Sequence, residues 1–421
     1  MTRTAPSRPP RARDPYGIGP VGTFLGPAAS IVGLVLIAIV TYNLFNYDVP
    51  FIGGNGGNGG PAPAGPGRTA APSNIVVVPP EAAFEGSIVY AKQGNIWIQK
   101  DKDAHQLTDN GGDSMPSWSP DGAWIYFIRS HEDSGRWPVR GRIGAYDISV
   151  PDLMRVKADG SAKPERLATG LIKRGSLKWS AWIRQPVLSP DGKTIALVTD
   201  LPDPNDSNVV LQFFDVARKR LTRAGVRENQ VLGHQDPEWR FDGKFLLYTQ
   251  NGRDGARGAP VIMRYAPSSK QARAITTPGY MQASYSPDGR YIAATRTTTL
   301  GTDVAILDAN TGHDLMRITD DGSSWAPCWS PAGDGIAFLN IVGQTVDLRL
   351  ARLEGAAGAW TIKETVDLTE VSGLDAASRP DWYIPPALLP ALPTPSPDTP
   401  GASGSAAASG GAAPSGSSPA P

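Results

Sequence analysis

Short runs of apolar residues, separated by polar turn residues, recur through the middle of the chain. In each repeat an apolar residue precedes Ser-Pro-Asp-Gly or a close variant, and a second apolar run follows. Pro presets the backbone of a turn, Asp bonds its own backbone, and Gly adopts the positive φ that other residues avoid. The pattern therefore predicts two short strands joined by a tight turn. It occurs at Ser117–Arg129, Val187–Thr199, Glu238–Gln250, Ser284–Arg296 and Cys328–Asn340.

Each predicted hairpin is followed by a third and a fourth short strand. The fourth strand contains Leu-Thr or a similar pair, at positions 107–108, 167–168, 221–222, 275–276, 318–319 and 368–369. Four strands in a repeat of about 45 residues match the size of one β-propeller blade.

The two ends of the repeat region complete each other. The first repeat, Gly86–Asp109, has three predicted strands but lacks the strand that precedes a Ser-Pro-Asp-Gly turn. The last partial copy, Arg379–Tyr383, supplies that strand. A blade assembled from both ends would close the ring and leave no open sheet edge. We therefore expect six blades, the first completed by the C-terminal strand.

Through these motifs the repeat region resembles the TolB-like β-propellers. This WD-like repeat group also includes the propellers of prolyl oligopeptidases and dipeptidyl peptidases. The resemblance covers residues 84–385. It implies an all-β domain, a six-bladed β-propeller with four-stranded blades, that binds protein partners at the cell envelope. We expect one transmembrane helix before this domain and disordered linkers on both sides of it.

The N-terminus is basic and precedes a long apolar stretch. Residues 1–20 contain four arginines against a single aspartate, Asp14. Residues 21–46 contain no charged side chain and are long enough to cross a bilayer as a helix. The positive-inside rule then makes residues 1–20 cytoplasmic and the propeller extracytoplasmic. We expect a single-pass protein of the cell membrane, and a cleaved signal peptide is the alternative.

Two segments rich in proline and small residues flank the repeats. Residues 47–83 combine Gly and Pro at a density that excludes a packed core, so they predict a flexible spacer. Residues 386–421 consist mostly of Ala, Pro, Ser and Gly and predict a disordered tail, or a glycosylated or wall-traversing stalk. The abundance of Ala, Gly and Pro, with more Arg than Lys, is typical of a GC-rich bacterium.

Composition argues against several classes of protein. The 40 basic and 40 acidic residues cancel, which argues against nucleic acid as a partner. The one cysteine, Cys328, excludes an intrachain disulfide and a thiolate metal cluster. The four histidines are scattered without metal-ligand spacing. We therefore expect no metal and no cofactor.

Two sets of repeated side chains have both a structural and a functional interpretation. Aromatic residues in one repeat slot could stack on a sugar or peptide, but recurrence in the same slot favours packing between blades. The Asp of each turn could bind calcium, but an Asp before Gly is typically a turn former. These residues are Trp118, Trp239, Tyr285, Trp329 and Trp382 in the first set and Asp121, Asp191, Asp242 and Asp288 in the second.

Variable loops carry function in propellers, because the blades form a rigid frame. Three long loops between second and third strands belong to consecutive blades, so we expect them to cluster on one side of one face. They are Ser130–Asp147, Asp200–Asn208 and Asn251–Pro260. Arg and Trp are enriched at binding hot spots. The predicted partner-binding residues are Arg136, Trp137, Arg140, Arg142, Asp203, Asp206, Arg253 and Arg257. The alternative is that these loops are ordinary solvated insertions.

These observations favour a non-catalytic protein-binding or scaffold module at the bacterial cell envelope, whose partner is one or more envelope proteins. One alternative is a sensor of a small molecule or wall fragment, and another is a propeller lyase or hydrolase. The chain has no GxSxG nucleophile elbow. His234, Asp236 and Glu238 lie where channel catalysts would sit, but turn and inter-blade hydrogen bonding is their simpler role. We predict no catalytic residue.

Overall fold

The computed structural model describes residues 84–389, except 102, 140, 203–207, 227–232 and 252–258. The predicted cytoplasmic segment, transmembrane helix and spacer lie outside the described residues. Within the described part of the chain, no helix has the length and apolar character needed to cross a membrane. The tail predicted from residue 386 begins with a short 3-10 helix, Pro386–Leu388, and lies otherwise outside the described residues.

The first half of the described chain forms three blades and a small accessory hairpin. Blade 1 begins with β1 (Ser87–Lys92), β2 (Asn95–Lys100) and β3 (Asp103–Gln106). Blade 2 contains β4 (Asp113–Trp118), β5 (Trp124–Val139), β6 (Arg142–Lys157) and β7 (Glu165–Thr169), and β8 (Leu171–Arg174) and β9 (Leu177–Ser180) form the accessory hairpin. Blade 3 contains β10 (Ile183–Leu188), β11 (Thr194–Thr199), β12 (Val210–Asp215) and β13 (Arg220–Arg223).

The second half forms three further blades and the closing strand. Blade 4 contains β14 (His234–Trp239), β15 (Leu246–Gln250), β16 (Val261–Ala266) and β17 (Gln271–Ala274). Blade 5 contains β18 (Tyr280–Tyr285), β19 (Tyr291–Thr297), β20 (Thr302–Asp308) and β21 (Asp314–Arg317). Blade 6 contains β22 (Ser324–Trp329), β23 (Gly335–Val342), β24 (Thr345–Glu354) and β25 (Thr361–Asp367), and β26 (Asp381–Tyr383) follows.

The ring closes as the repeats predict. The sheet of blade 1 has the order β26-β1-β2-β3, so its innermost strand comes from the C-terminal end of the domain. Ile88 of β1 pairs with Trp382 of β26 in antiparallel register. The all-β six-bladed propeller with four-stranded blades is therefore confirmed.

Apolar side chains pack between neighbouring blades all around the ring. One buried cluster joins blade 6 to blade 1, and includes Ile88, Cys328 and Leu339. Five further clusters join blades 1 and 2, 2 and 3, 3 and 4, 4 and 5, and 5 and 6. The core is thus a closed series of inter-blade interfaces, and each blade depends on both of its neighbours.

The recurrent Leu-Thr pair stabilises the end of each outer strand. Its apolar member is buried in several blades, as with Leu167, Ile275 and Ile318. The Thr108 hydroxyl accepts the backbone N–H of Ile96 at 2.9 Å. Thr276, Thr319 and Thr369 accept a third-strand N–H in the same way. The repeat therefore satisfies a backbone donor where the strand ladder ends.

Antiparallel order separates two faces of the ring. The Ser-Pro-Asp-Gly turns lie at one face, together with the turns between third and fourth strands. The connections between second and third strands, and those between blades, lie at the opposite face, here called the connection face. The innermost strands β4, β10, β14, β18, β22 and β26 begin at the connection face and surround the central channel.

Candidate functional site

Each of five innermost strands contains a β-bulge at the same repeat position. The register shifts between residues 184 and 187 in β10, and at the corresponding positions of β4, β14, β18 and β22. One residue in each bulge has positive φ although it is not glycine: Met115, Gln185, Asp236, Gln282 and Ala326. Bulges re-aim side chains and occur near functional sites, and here they form a ring around the channel.

Side chains at this ring connect each blade to the next by hydrogen bonds. The Asp381 Oδ2 of blade 1 accepts the backbone N–H of Trp118 in blade 2 at 2.7 Å. Between blades 3 and 4, Gln185 Nε2 donates to Asp236 Oδ1 at 2.6 Å, and the Asp236 N–H donates to Gln185 Oε1 at 2.9 Å. Between blades 5 and 6, the Trp329 N–H donates to Ser284 Oγ at 3.1 Å. The hydrogen bonds of Asp236 to Gln185 support the simpler role that the sequence suggested for Asp236, which is to join neighbouring blades.

One ion pair crosses the channel instead of joining neighbours. Arg379, next to β26 of blade 1, places its Nη2 3.3 Å from Glu238 Oε2 of blade 4. Blades 1 and 4 face each other across a six-bladed ring, so this pair spans the channel. Burial raises the pKa of Glu238 to about 7, although Arg379 lowers it and Asp381 raises it further. Glu238 can therefore exchange a proton near neutral pH.

Two further charges lie close to this pair. Burial raises the pKa of Asp236 against the opposing effects of Arg379 and Arg184. Burial likewise lowers the pKa of Arg184, while Asp236 and Asp375 act in the opposite direction. The channel therefore holds a network of desolvated acids and bases from blades 1, 3 and 4.

His234, the third channel candidate, has a structural environment. Its side chain is fully buried, and its Nδ1 accepts the Leu211 N–H at 3.1 Å. Its ring packs against Tyr248 with centroids 4.6 Å apart. His234 therefore stabilises the blade and does not face the channel with Glu238.

The longest predicted loop is a pair of strands. Residues 130–147 continue β5 and β6 without a break in register, so that Ser134 pairs with Asp147 and Trp137 with Gly144. The loop prediction for this segment was therefore wrong. This paired extension, residues 130–150, is here called the blade 2 extension, and it projects at the connection face.

The accessory hairpin supports one edge of the blade 2 extension. Arg136 of β5 pairs with Lys178 of β9, and Lys178 Nζ lies 2.5 Å from Asp133 Oδ1. Trp137 packs edge-on against the buried Trp179, with ring centroids 5.2 Å apart. Arg136 and Trp137, both predicted as binding residues, thus help to hold the extension to β9.

The tip and the outer edge of the extension are accessible. Val139 is 58% exposed and Ile143 is 49% exposed, and Arg142 between them is exposed. β7 pairs with β6 at residues 152–155, and among the described strands none pairs with the outer edge of β6 from 142 to 147. An accessible strand edge is a template for pairing with another chain.

The other five predicted binding residues are not among those that the structure describes. Arg140, Asp203, Asp206, Arg253 and Arg257 lie outside the described residues. The predicted clustering of the three loops on one side of the connection face therefore stays a prediction.

The repeated aromatic residues pack between blades. Trp118 of blade 2 stacks on Tyr383 of blade 1 with ring centroids 5.3 Å apart. Trp239 of blade 4 donates its Nε1–H to the Val187 carbonyl of blade 3 at 3.2 Å. The packing interpretation is therefore confirmed.

The repeated aspartates shape the turns. Asp191 Oδ1 accepts the Ser189 hydroxyl at 2.6 Å and the Lys193 N–H at 3.2 Å. Asp288 makes the same two contacts with Ser286 and Arg290. Among the described residues, no group of three acidic, histidine or cysteine side chains could hold a metal ion.

A separate cleft of about 610 Å³ opens beside the β19–β20 connection of blade 5. Arg296 and Asp303 line it. Arg296 Nη1 lies 3.0 Å from Asp314 Oδ2, and Asp303 Oδ1 accepts the Gly322 N–H at 2.9 Å. Since these groups already stabilise blade 5, we assign no binding role to this cleft.

Comparisons with known proteins support the fold. No protein-family model matches the chain, and no curated protein matches it. TolB from Acinetobacter baumannii aligns with a TM-score of 0.50 and 19% identity, over 70% of this chain and 66% of that one, slightly under two thirds of its length. A putative TolB from Agrobacterium tumefaciens aligns with a TM-score of 0.50 and 17% identity, over 73% and 96%. The chain has the TolB-like propeller fold.

A third solved structure also aligns with this chain. A putative 6-phosphogluconolactonase from Bacteroides fragilis aligns with a TM-score of 0.43 and 13% identity, over 69% of this chain and 96% of that one. Because fold does not imply function, the activity must be argued from the site.

In this TolB-like propeller, the channel arginines are the candidate site residues that sequence reasoning missed. Arg379 precedes Pro380 in the slot that Gln185, Gln282 and Ala326 fill in other repeats. Most repeats have an uncharged residue at this position, so the charge of Arg379 was the sequence feature that could have marked it as a site residue. Arg379 and Glu238 are 141 positions apart in the sequence, so the sequence alone did not indicate that they form an ion pair.

Proposed function

We propose that the chain is a non-catalytic protein-binding or scaffold module at the bacterial cell envelope. The observation that carries this proposal is the blade 2 extension. Its tip carries the exposed apolar side chains of Val139 and Ile143, and no described strand pairs with the outer edge of β6 beside that tip. The TolB-like fold supports a binding role only by analogy, because the likeness concerns fold alone.

Partner binding by strand addition fits this extension. In that mode an extended peptide adds to a sheet edge, where main-chain hydrogen bonds provide affinity and side chains provide specificity. Ile143 and Val139 would provide apolar contacts, and Arg142 would favour an acidic neighbour on the partner. β9 holds the opposite edge of the extension, so the binding edge is supported by a rigid frame.

The apolar N-terminal stretch supports a membrane location. In this proposal residues 21–46 anchor the chain, and residues 47–83 hold the propeller at a distance from the bilayer. The propeller then lies outside the cytoplasm. Fusion of a reporter enzyme that is active only outside the cytoplasm to the C-terminus tests this orientation. Reporter activity is expected, and activity of a cytoplasm-only reporter would contradict it.

Affinity purification with tip variants tests the binding role. The full-length chain, tagged and expressed in its own cells, is solubilised in mild detergent. A triple variant, Val139→Ser with Arg142→Ser and Ile143→Ser, removes the exposed side chains of the tip. A matched control, Leu300→Ser with Leu315→Ser, removes two exposed apolar side chains of blade 5.

Surface substitutions of this kind change stability by about 0.5 kcal/mol or less, so both variants should fold. We expect a partner that copurifies with the wild type and the control but is lost from the tip variant. Equal recovery of every copurifying protein by all three chains would contradict binding through the extension.

A further inference from the structure

Arg184 lies at the β-bulge of β10, the innermost strand of blade 3, which lines the central channel. It lies within electrostatic reach of Asp236 in blade 4 and of Asp375 just before β26. A side chain of blade 3 reaches both only from inside the channel. Among the described residues, none makes a hydrogen bond or ion pair with it. The aromatic ring of Trp182 lies beneath it, 5.9 Å from the guanidinium carbon to the ring centroid.

Arg379 also has unused donors. Its Nη2 makes one bond to Glu238 Oε2 at 3.3 Å, and its Nε is buried without a partner among the described residues. An arginine carries five N–H donors in a fixed fork. Burying such donors without acceptors costs free energy. The channel therefore contains two cations whose hydrogen-bonding capacity exceeds what the protein provides.

The nearby acids do not supply the missing acceptors. Asp381 accepts two backbone donors, the N–H groups of Trp118 and Trp382, at 2.7 and 2.9 Å. Asp236 Oδ1 is held by Gln185 at 2.6 Å. Asp236 Oδ2 is buried and accepts no hydrogen bond from Arg184 or Arg379.

We propose that the central channel binds a carboxylate-bearing ligand through Arg184, with Arg379 as a second donor. Arg recognises a carboxylate by two parallel hydrogen bonds. A doubly charged phosphate would be repelled more strongly by the channel acids than a singly charged carboxylate. The site lies in the channel and not on the blade 2 extension, so it does not depend on the proposed partner-binding role.

Glu238 competes with the ligand for Arg379. When Glu238 is protonated, the Arg379 guanidinium is released and one negative charge leaves the channel. Binding should therefore strengthen as pH falls through neutrality. The titratable groups that act on Glu238 or share its site are Arg379 and Asp381 at the closing strand, Cys328 on β22, Tyr285 on β18 and Asp236 on its own strand.

Ligand-observed saturation-transfer NMR on the full-length chain tests this site. The probes are propionate, inorganic phosphate, a short peptide with a free C-terminal carboxylate and the same peptide with an amidated C-terminus. Propionate represents a free organic acid with one charge, and the peptide pair represents a carboxylate carried by a chain. We expect saturable binding of at least one carboxylate probe, and weaker binding of phosphate and of the amidated peptide.

Two variants and a control identify the residues. Arg184→Gln should weaken the binding of the carboxylate probe about tenfold. Glu238→Gln should strengthen it and remove its increase between about pH 8 and about pH 6. The control, Arg220→Gln, changes an exposed arginine on the outer strand of the same blade and should leave binding unchanged.

The outcomes distinguish a free organic acid from a carboxylate carried by a peptide chain, and they decide whether the proposal holds. Binding of propionate without the peptide assigns a free organic acid, and binding of the peptide alone assigns a chain carboxylate. Absence of binding by every carboxylate probe would overturn the proposal. It would equally be overturned if Arg184→Gln and Arg220→Gln had the same effect, or if wild-type binding strengthened as pH rises.

Discussion

At the scale of single residues, the propeller places ionisable side chains in a channel where burial changes their proton affinity. Glu238 and Arg379 keep 21% and 15% of their side-chain surface accessible, because they face the channel and not the blade interior. Burial still outweighs the nearby arginine in its effect on the pKa of Glu238. These residues therefore affect both stability and ligand binding.

Stability should depend on pH through Glu238. Its pKa of about 7 in the folded chain exceeds the ordinary value of 4.5. The folded state then binds more protons between these values, so the free energy of unfolding falls as pH rises from about 5 to about 8, by an amount on the order of 3 kcal/mol. Glu238→Gln should flatten this part of the profile.

Urea denaturation at several pH values measures that effect. Glu132→Gln, on the exposed part of β5, is the matched control and should keep the wild-type slope. An unchanged slope in the Glu238→Gln chain would show that other groups cause the pH dependence.

Cys328 should be inert in the folded chain. It is buried in the cluster between blades 6 and 1, and burial raises the pKa of its thiol. The thiolate is the reactive form, so a thiol-specific chromogenic reagent at about pH 8 should react slowly before denaturation and fully after it. Rapid reaction in the native protein would show that this inter-blade interface opens.

At the scale of elements, the turns and the blade 2 extension differ in how far local sequence determines them. The Ser-Pro-Asp-Gly hairpins follow from turn chemistry, and Gly192 takes φ 71° as that turn requires. The extension contains Gly135, Pro138, Gly141 and Gly144, which favour a loop. It is nevertheless paired, because β9 and Trp179 stabilise it from outside the segment. Tertiary contacts overrode local propensity, so sequence alone predicted a loop.

Trp179→Ala should loosen the extension while the propeller remains folded. The substitution removes the buried ring against which Trp137 packs, and truncating a buried Trp costs about 3–5 kcal/mol. Limited trypsin digestion should then cleave near Arg136 and Arg142. Trp182→Ala, at a side chain that is 38% exposed, is the control and should not accelerate cleavage. Equal digestion of both variants would contradict the supporting role of β9.

At the scale of the whole molecule, closure by the C-terminal strand and the repeat count were predictable, because the repeats bracket one incomplete blade. The Glu238–Arg379 pair was not, because only the closed ring brings blades 1 and 4 to opposite sides of one channel. Three of the predicted partner-binding residues, Arg136, Trp137 and Arg142, lie on the blade 2 extension. The remaining five residues depend on segments outside the described chain.

Removal of the closing strand should abolish the fold. A chain that ends at Ser378 lacks β26, its pairing with β1 and the buried Trp382. Both β1 and the interface with blade 6 then lose their partner, so we expect aggregation or loss of the cooperative unfolding transition by circular dichroism. A chain that ends at Leu389 keeps β26 and should unfold like the full-length protein. A cooperative transition in the shorter chain would contradict closure by β26.

Photo-crosslinking in the native cells tests the central claim, that the blade 2 extension binds a protein partner, most directly. A photoreactive amino acid replaces Ile143 at the tip in one chain and the exposed Leu300 of blade 5 in another. The account predicts a discrete crosslinked adduct from position 143 that is absent from position 300. Adducts from both positions alike, or from position 300 alone, would contradict it.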